Sequence, residues 1–139
     1  MTAHGECLCG EVKYEIEGDL GEVRYCHCLR CRQATGTAFS TNARIPLSRF
    51  RLTSGQSVLA IYEMGPGIFR HFCAVCGAPV YVSLAREPDF IRPRLGGLTG
   101  TFDVDLSAHV LVGSKAAWQA INDDLPQYEE RKPPETPGK

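Results

Sequence analysis

A chain of 139 residues, 43% of them apolar, with a formal net charge of −1, is sized for one domain around one core. That charge makes it a poor general binder of nucleic acid, no apolar run approaches membrane-spanning length, and the N-terminus does not read as a signal sequence. Seven cysteines without a secretion signal point to a reducing cytoplasm, and an odd count argues against a disulfide framework.

In chain order, the first feature is Cys7-Leu8-Cys9-Gly10. Residues i and i+2 of an extended segment face one side, so both sulfurs can point at one ion. Residues 11–17 then alternate strictly, with Val12, Tyr14 and Ile16 on one face and charges on the other, which predicts a half-buried strand. A turn is expected between Gly18 and Gly21, and a short strand from Val23 to Cys26. That strand leads into Cys26-His27-Cys28-Leu29-Arg30-Cys31. Leu29 to Thr35 reads as one or two helical turns ended by Gly36. Further strands are predicted over 39–45, 50–52, 57–62, 68–72, 79–84 and 108–112, punctuated by Gly, Pro, Ser and Asn. Cys73-Ala74-Val75-Cys76-Gly77 is a knuckle that turns the chain back and presents two sulfurs together. A short helix is expected over 116–122 around Trp118, with Trp118, Leu125 and Tyr128 pinning this segment to the core. Residues 1–125 form the expected single domain, and 126–139, rich in proline and charge, a loose tail. Many short strands imply a mainly β fold of two or more packed antiparallel sheets with short helical turns.

Ligand counting divides the cysteines. A closed structural zinc site needs four protein ligands, and a catalytic one uses three and keeps a position open. Cys7, Cys9, Cys73 and Cys76 make the first set; Cys26, Cys28 and Cys31 make the second. The usual ferredoxin spacings for iron–sulfur clusters are absent. A redox role for Cys73 and Cys76 would leave Cys7 and Cys9 unexplained. Two zinc ions per chain are therefore expected.

Charge is uneven. Residues 1–22 hold six acids and one lysine, whereas 23–62 hold no acid and include Arg24, Arg30, Arg32, Arg44, Arg49 and Arg51. One reading is a field that draws a carboxylate-bearing ligand to the open metal, with Arg30 and Arg32 as substrate contacts; the other is arginines scattered over solvated faces. His27 could complete the triplet's shell or carry a proton, but in an extended Cys-His-Cys its side chain points away from its neighbours. His71 and His109 read as strand-face and core histidines, His4 as free, and Asp123 as a structural hydrogen-bond partner. Tyr25, Phe39 and Tyr62 are candidate pocket or core residues.

The ordered set Cys-Leu-Cys-Gly, Cys-His-Cys-Leu-Arg-Cys-Arg-Gln-Ala-Thr-Gly, Phe-Cys-Ala-Val-Cys-Gly, Ala-His-Val and Trp-Gln-Ala-Ile-Asn-Asp-Asp-Leu-Pro-Gln-Tyr resembles the glutathione-dependent formaldehyde-activating enzyme family, or centromere-protein-V/GFA domain, from about Glu6 to Tyr128. The resemblance implies an Mss4-like, β-tent fold, a structural zinc on the paired clusters and a catalytic zinc on the triplet. It implies carbon–sulfur lyase chemistry on an adduct such as S-(hydroxymethyl)glutathione, with a small thiol such as glutathione as partner. The alternative is a non-catalytic zinc-binding interaction module, since related Mss4-like proteins serve that way. Asp124 stands where the family often has glycine, and Gly100-Thr101-Phe102-Asp103 fits its family element loosely, which leaves substrate identity open.

Overall fold

The computed structural model describes residues 1–131. Twelve strands and one α-helix are laid out as three sheets among them. The first sheet has the order β11-β1-β2-β6, from Leu98–Thr99, Thr2–Glu6, Lys13–Glu17 and Phe50–Ser54. The second has the order β5-β10-β9-β8-β7, from Ile45–Pro46, Phe90–Pro93, Pro79–Leu84, Ile68–Cys73 and Leu59–Gly65. The third has the order β12-β3-β4, from Asp105–Val110, Glu22–Cys26 and Ser40–Ala43. Helix α1, Leu29–Thr35, follows β3 and ends at Gly36, whose left-handed conformation closes it as the sequence predicts. The mainly β, Mss4-like architecture of packed antiparallel sheets with short helical turns is the one implied by the sequence.

The alternation that runs from Val12 into β2 places Val12, Tyr14 and Ile16 in the core, each at most 2% exposed. They join Val23, Ile45, Val80 and Ile91 in one apolar cluster, with Phe50 and Tyr81 packed against it. Tyr14 stacks on Phe50 at 5.2 Å between ring centres, and Phe50 meets Tyr81 edge-on at 5.0 Å. The first and second sheets are thus held by one core.

Three features differ from the sequence reading. The third sheet is mixed, because β3 pairs antiparallel with β4 but parallel with β12. A parallel partner needs a long crossover, and the chain between β3 and β12 supplies it. No helix forms over 116–122: the segment turns through a Gln119 N–H to Ala116 carbonyl bond of 3.1 Å, and Lys115 Nζ takes the carbonyls of Ala116 and Gln119. Trp118 is 72% exposed, so Ala116, buried at 3%, anchors the segment where Trp118 was expected to. The chain is also not loose from Pro126. His109 N–H bonds the Pro126 carbonyl and Tyr128 N–H the His109 carbonyl, both at 2.9 Å, and Leu111 N–H bonds the Glu130 carbonyl at 2.7 Å. Backbone groups at the edge of β12 find their partners in this segment. The rest of the expected tail, 132–139, lies outside the described residues.

Candidate metal centres

The four-cysteine set converges from two sheets. The β1–β2 connection folds as a knuckle in which Gly10 N–H bonds the Cys7 carbonyl at 3.1 Å and Val12 N–H donates to Cys7 Sγ at 3.2 Å. The β8–β9 connection repeats the device, with Gly77 N–H on the Cys73 carbonyl at 2.7 Å. Gly10 and Gly77 have φ of 83° and 80°, which a side chain would resist. Cys7 Sγ lies 3.6 Å from Cys9 Sγ, and Cys9 Sγ 3.8 Å from Cys73 Sγ. Four sulfurs each about 2.3 Å from one ion in a tetrahedron stand about 3.8 Å apart, so the set fits a closed thiolate site. Backbone hydrogen bonds at Ala78 and Cys9 pull the Cys76 thiol down to about 6, which favours the thiolate a metal requires.

The triplet is local. Cys26 ends β3, Cys28 caps α1 by accepting Cys31 N–H at 3.2 Å, and Cys31 sits in the first turn of that helix. Cys26 Sγ and Cys31 Sγ are 3.4 Å apart, and all three sulfurs lie within 4.8 Å of one another. Hydrogen bonding within the triplet, from Cys26 first and then Cys28, holds the Cys31 thiol down and favours the thiolate there. Among the described residues no His, Asp or Glu completes this set to four. Three sulfurs at such spacing fit an ion with one position left for another ligand.

The arginines near the triplet differ in role. Arg24, Arg44 and Arg51 are paired with Glu22, Glu87 and Glu15, and Arg49 bonds the carbonyls of Glu17 and Asp19. The solvated-face reading fits Arg24, Arg49 and Arg51, whereas Arg44 is half-buried, with its guanidinium over the Phe90 ring. Arg30 reaches from α1 across to β7, where a Cβ on Gly65 would come within 2.7 Å of its guanidinium. Arg32 donates to the Ser114 carbonyl at 3.0 Å. Neither is in an ion pair among the described residues. Sequence reasoning missed Arg94. It follows β10, is 7% exposed, and donates from Nη1 to Asn42 Oδ1 and, at 3.4 Å, to Ser40 Oγ. Ser40 is the register partner of Cys26, which puts the guanidinium next to the triplet.

The sequence profile of the family described as glutathione-dependent formaldehyde-activating enzyme matches residues 2–114. The chain belongs to that family. A protein of Fusarium vanettenii, provisionally named a glutathione-dependent formaldehyde-activating enzyme, is 26% identical over 110 residues, covering 76% of this chain and 59% of its own. One of Colletotrichum graminicola with the same provisional name is 24% identical over 114 residues, covering 78% and 60%. The chain thus spans about three fifths of the length of these curated relatives. The crystal structure of a protein from Rhodobacter sphaeroides superposes with a TM-score of 0.60 at 28% identity, covering 70% of this chain and 89% of that one.

In this family member the histidine between two candidate ligands turns away from them. His27 is fully buried, and its Nε2 lies 2.8 Å from His109 Nδ1, while His109 Nε2 lies 2.9 Å from Asp123 Oδ2. A carboxylate only accepts, so His109 Nε2 carries the hydrogen, its Nδ1 accepts, and His27 Nε2 donates to it. His27 Nδ1 is then a buried acceptor without a partner among the described residues. Burial above all holds the His27 imidazole below its usual range. Beside this line, Tyr25, Phe39, His109 and Asp123 border a cavity of about 390 Å³, whereas Tyr62 is exposed on β7. His71 bonds Ser83 Oγ at 2.9 Å, a strand-face histidine as expected, and His4 makes a long 3.8 Å contact with Glu15. Among the described residues no helix is long and apolar enough to cross a membrane.

Proposed function

We propose that this protein is a zinc-dependent carbon–sulfur lyase that makes or breaks an adduct between a small thiol and an aldehyde, of the S-(hydroxymethyl)glutathione class, in the cytoplasmic thiol pool. The observation that carries the reading is the three-sulfur cluster with no fourth protein ligand among the described residues, set apart from a cluster of four. Cys7, Cys9, Cys73 and Cys76 hold the structural ion, and Cys26, Cys28 and Cys31 the catalytic one. A zinc ion on the triplet supplies Lewis acidity and lowers the pKa of a thiol that reaches it. The chain itself supplies position and charge. Arg30 and Arg32, which no acid pairs with among the described residues, meet the carboxylates of the thiol-bearing substrate. Gly65, at the end of β7, leaves room for the Arg30 guanidinium that reaches over it.

Metal analysis of reduced protein purified with zinc should give up to two ions per chain, the second exchanging faster. In the cobalt-substituted protein, glutathione should change the charge-transfer and d–d bands, and S-methylglutathione should not. Turnover of a thiol–aldehyde adduct should be lost in Cys28→Ala. A filled second site whose spectrum ignores every thiol tested would overturn the lyase reading in favour of a zinc-binding interaction module.

A further inference from the structure

Among the described residues Arg94 is buried, 7% exposed, with no carboxylate in an ion pair with it and the triplet sulfurs close by. A guanidinium cannot shed its proton, so burial obliges it to find negative charge. Arg44 and Arg92 solve this by sharing Glu87, with Nη2–O distances of 2.8 and 2.6 Å. Arg94 has no such partner among the described residues: its hydrogen bonds go to the neutral Asn42 and Ser40. Its other charged neighbour is a second cation, Arg70, whose Nη2 is spent on the Gly77 carbonyl. The Ser40 hydroxyl to which it donates sits on the register partner of Cys26, so the groups left to face it are the sulfurs of Cys31, Cys26 and Cys28, anionic as the thiolates a metal requires. The placement is fixed from both sides, since Arg94 N–H bonds the Val80 carbonyl at 3.0 Å and Arg94 pairs with Asn42 on β4, two residues from the partner of Cys26.

We propose that Arg94 is a built-in counter-cation of the three-cysteine centre. Three thiolates around a dication leave one net negative charge, and one guanidinium balances it. An anionic thiol then meets a neutral centre. Without Arg94 it would meet a centre of its own sign. The four-cysteine site, by contrast, presents exposed Cys9 to water. Arg94 is thus a positioning residue that acts through the ligands, and its role rests on the metal reading of the triplet.

The test is cobalt titration of the reduced full chain, with the two sites read separately. Arg94→Met should lower the affinity of the triplet about tenfold or more and leave the four-cysteine site unchanged, and Arg94→Lys should restore most of the loss. Mercaptoacetate should lose more affinity than the uncharged 2-mercaptoethanol. Should Arg94→Met fail to fold, Asn42→Asp keeps Arg94 in place but gives it a carboxylate, and the triplet's affinity should fall in the same direction. Unchanged triplet affinity in a folded Arg94→Met, or in Asn42→Asp, overturns the role while leaving the lyase reading intact. Normal cobalt affinity with no response to thiols in the wild type removes the lyase reading and leaves Arg94 standing. A wild-type triplet that takes no metal overturns both.

Discussion

His27 Nδ1, enclosed and without a partner among the described residues, is where the residue-level account is most exposed to test. Its acceptor character depends on a carboxylate two hydrogen bonds away. Asn can donate as well as accept, so Asp123→Asn frees His109 to take either tautomer, and the order of hydrogens along the line is no longer set. Nitrogen NMR of the imidazoles should show both rings protonated at Nε2 in the wild type and mixed tautomers in Asp123→Asn. A single unchanged tautomer in the variant would remove Asp123 as the determinant. The seven cysteines were legible in the sequence because each knuckle, and the whole triplet, is built from neighbours a few residues apart. Arg94 was not, because it reaches Cys26 only through the Ser40 register and no local pattern marks it. For His27 the alternation rule correctly turned the ring away from the metal, but its partner, 82 residues on, could come only from the fold.

Among the elements, β2, β9 and α1 were readable from alternation and from the glycine that ends the helix. Strands β1, β10 and β11 were not. Thr-Ala-His-Gly-Glu has no apolar alternation beyond Ala3, and β10 lies in a segment dense in Arg and Pro. Their strand character comes from the neighbours that pair with them. The junction near β10 depends on Glu87, which Arg44 and Arg92 grip from two strands' ends. Burial alone would raise its pKa, but the hydrogen bonds from Arg92 and then Arg44 outweigh it and hold the carboxyl below its ordinary 4.5. A depressed carboxylate stabilises the fold above its unfolded pKa and loses that contribution as pH falls through the folded value. The stability gap between wild type and Glu87→Gln, from urea melts, should therefore be full at pH 6 and shrink below about 4.5. A gap independent of pH would mean that charge is not what Glu87 contributes. On β7, Gly65→Ala should displace Arg30 at its flexible end. Stability should change by less than about 1 kcal/mol, while the affinity for anionic thiols falls if Arg30 meets a carboxylate. Calorimetry with glutathione on the metal-loaded variant measures it, and unchanged affinity would remove Arg30 from the site.

At the scale of the whole molecule the two sulfur sets have different work. The four-cysteine knuckles tie the first sheet to the second across 64 residues, so a metal there contributes its binding energy to folding. Cys9→Ala or Cys73→Ala should cost most of the fold, since structural zinc in small domains is worth about 10 kcal/mol or more. Cys28→Ala should melt close to the wild type and keep one ion. A strong chelator should first strip the triplet and leave the strand circular-dichroism signal, and only later collapse it. If Cys28→Ala were the less stable variant, the two assignments would exchange.

The same 64-residue separation has a consequence in time. At 5–20 residues per second, a ribosome needs about 3–13 s to carry synthesis from Cys9 to Cys73. Over roughly the last two thirds of that interval, once Cys31 is made, Cys7, Cys9, Cys26, Cys28 and Cys31 are all present while Cys73 and Cys76 are not. Five thiols are enough to wrap a zinc ion in a mixed set of four that the finished fold has no place for. The nascent chain therefore faces a choice of ligands, and release from the wrong set becomes a step on the way to the native one. Refolding of the denatured, reduced chain should be slower with zinc present from the start than with zinc added after dilution.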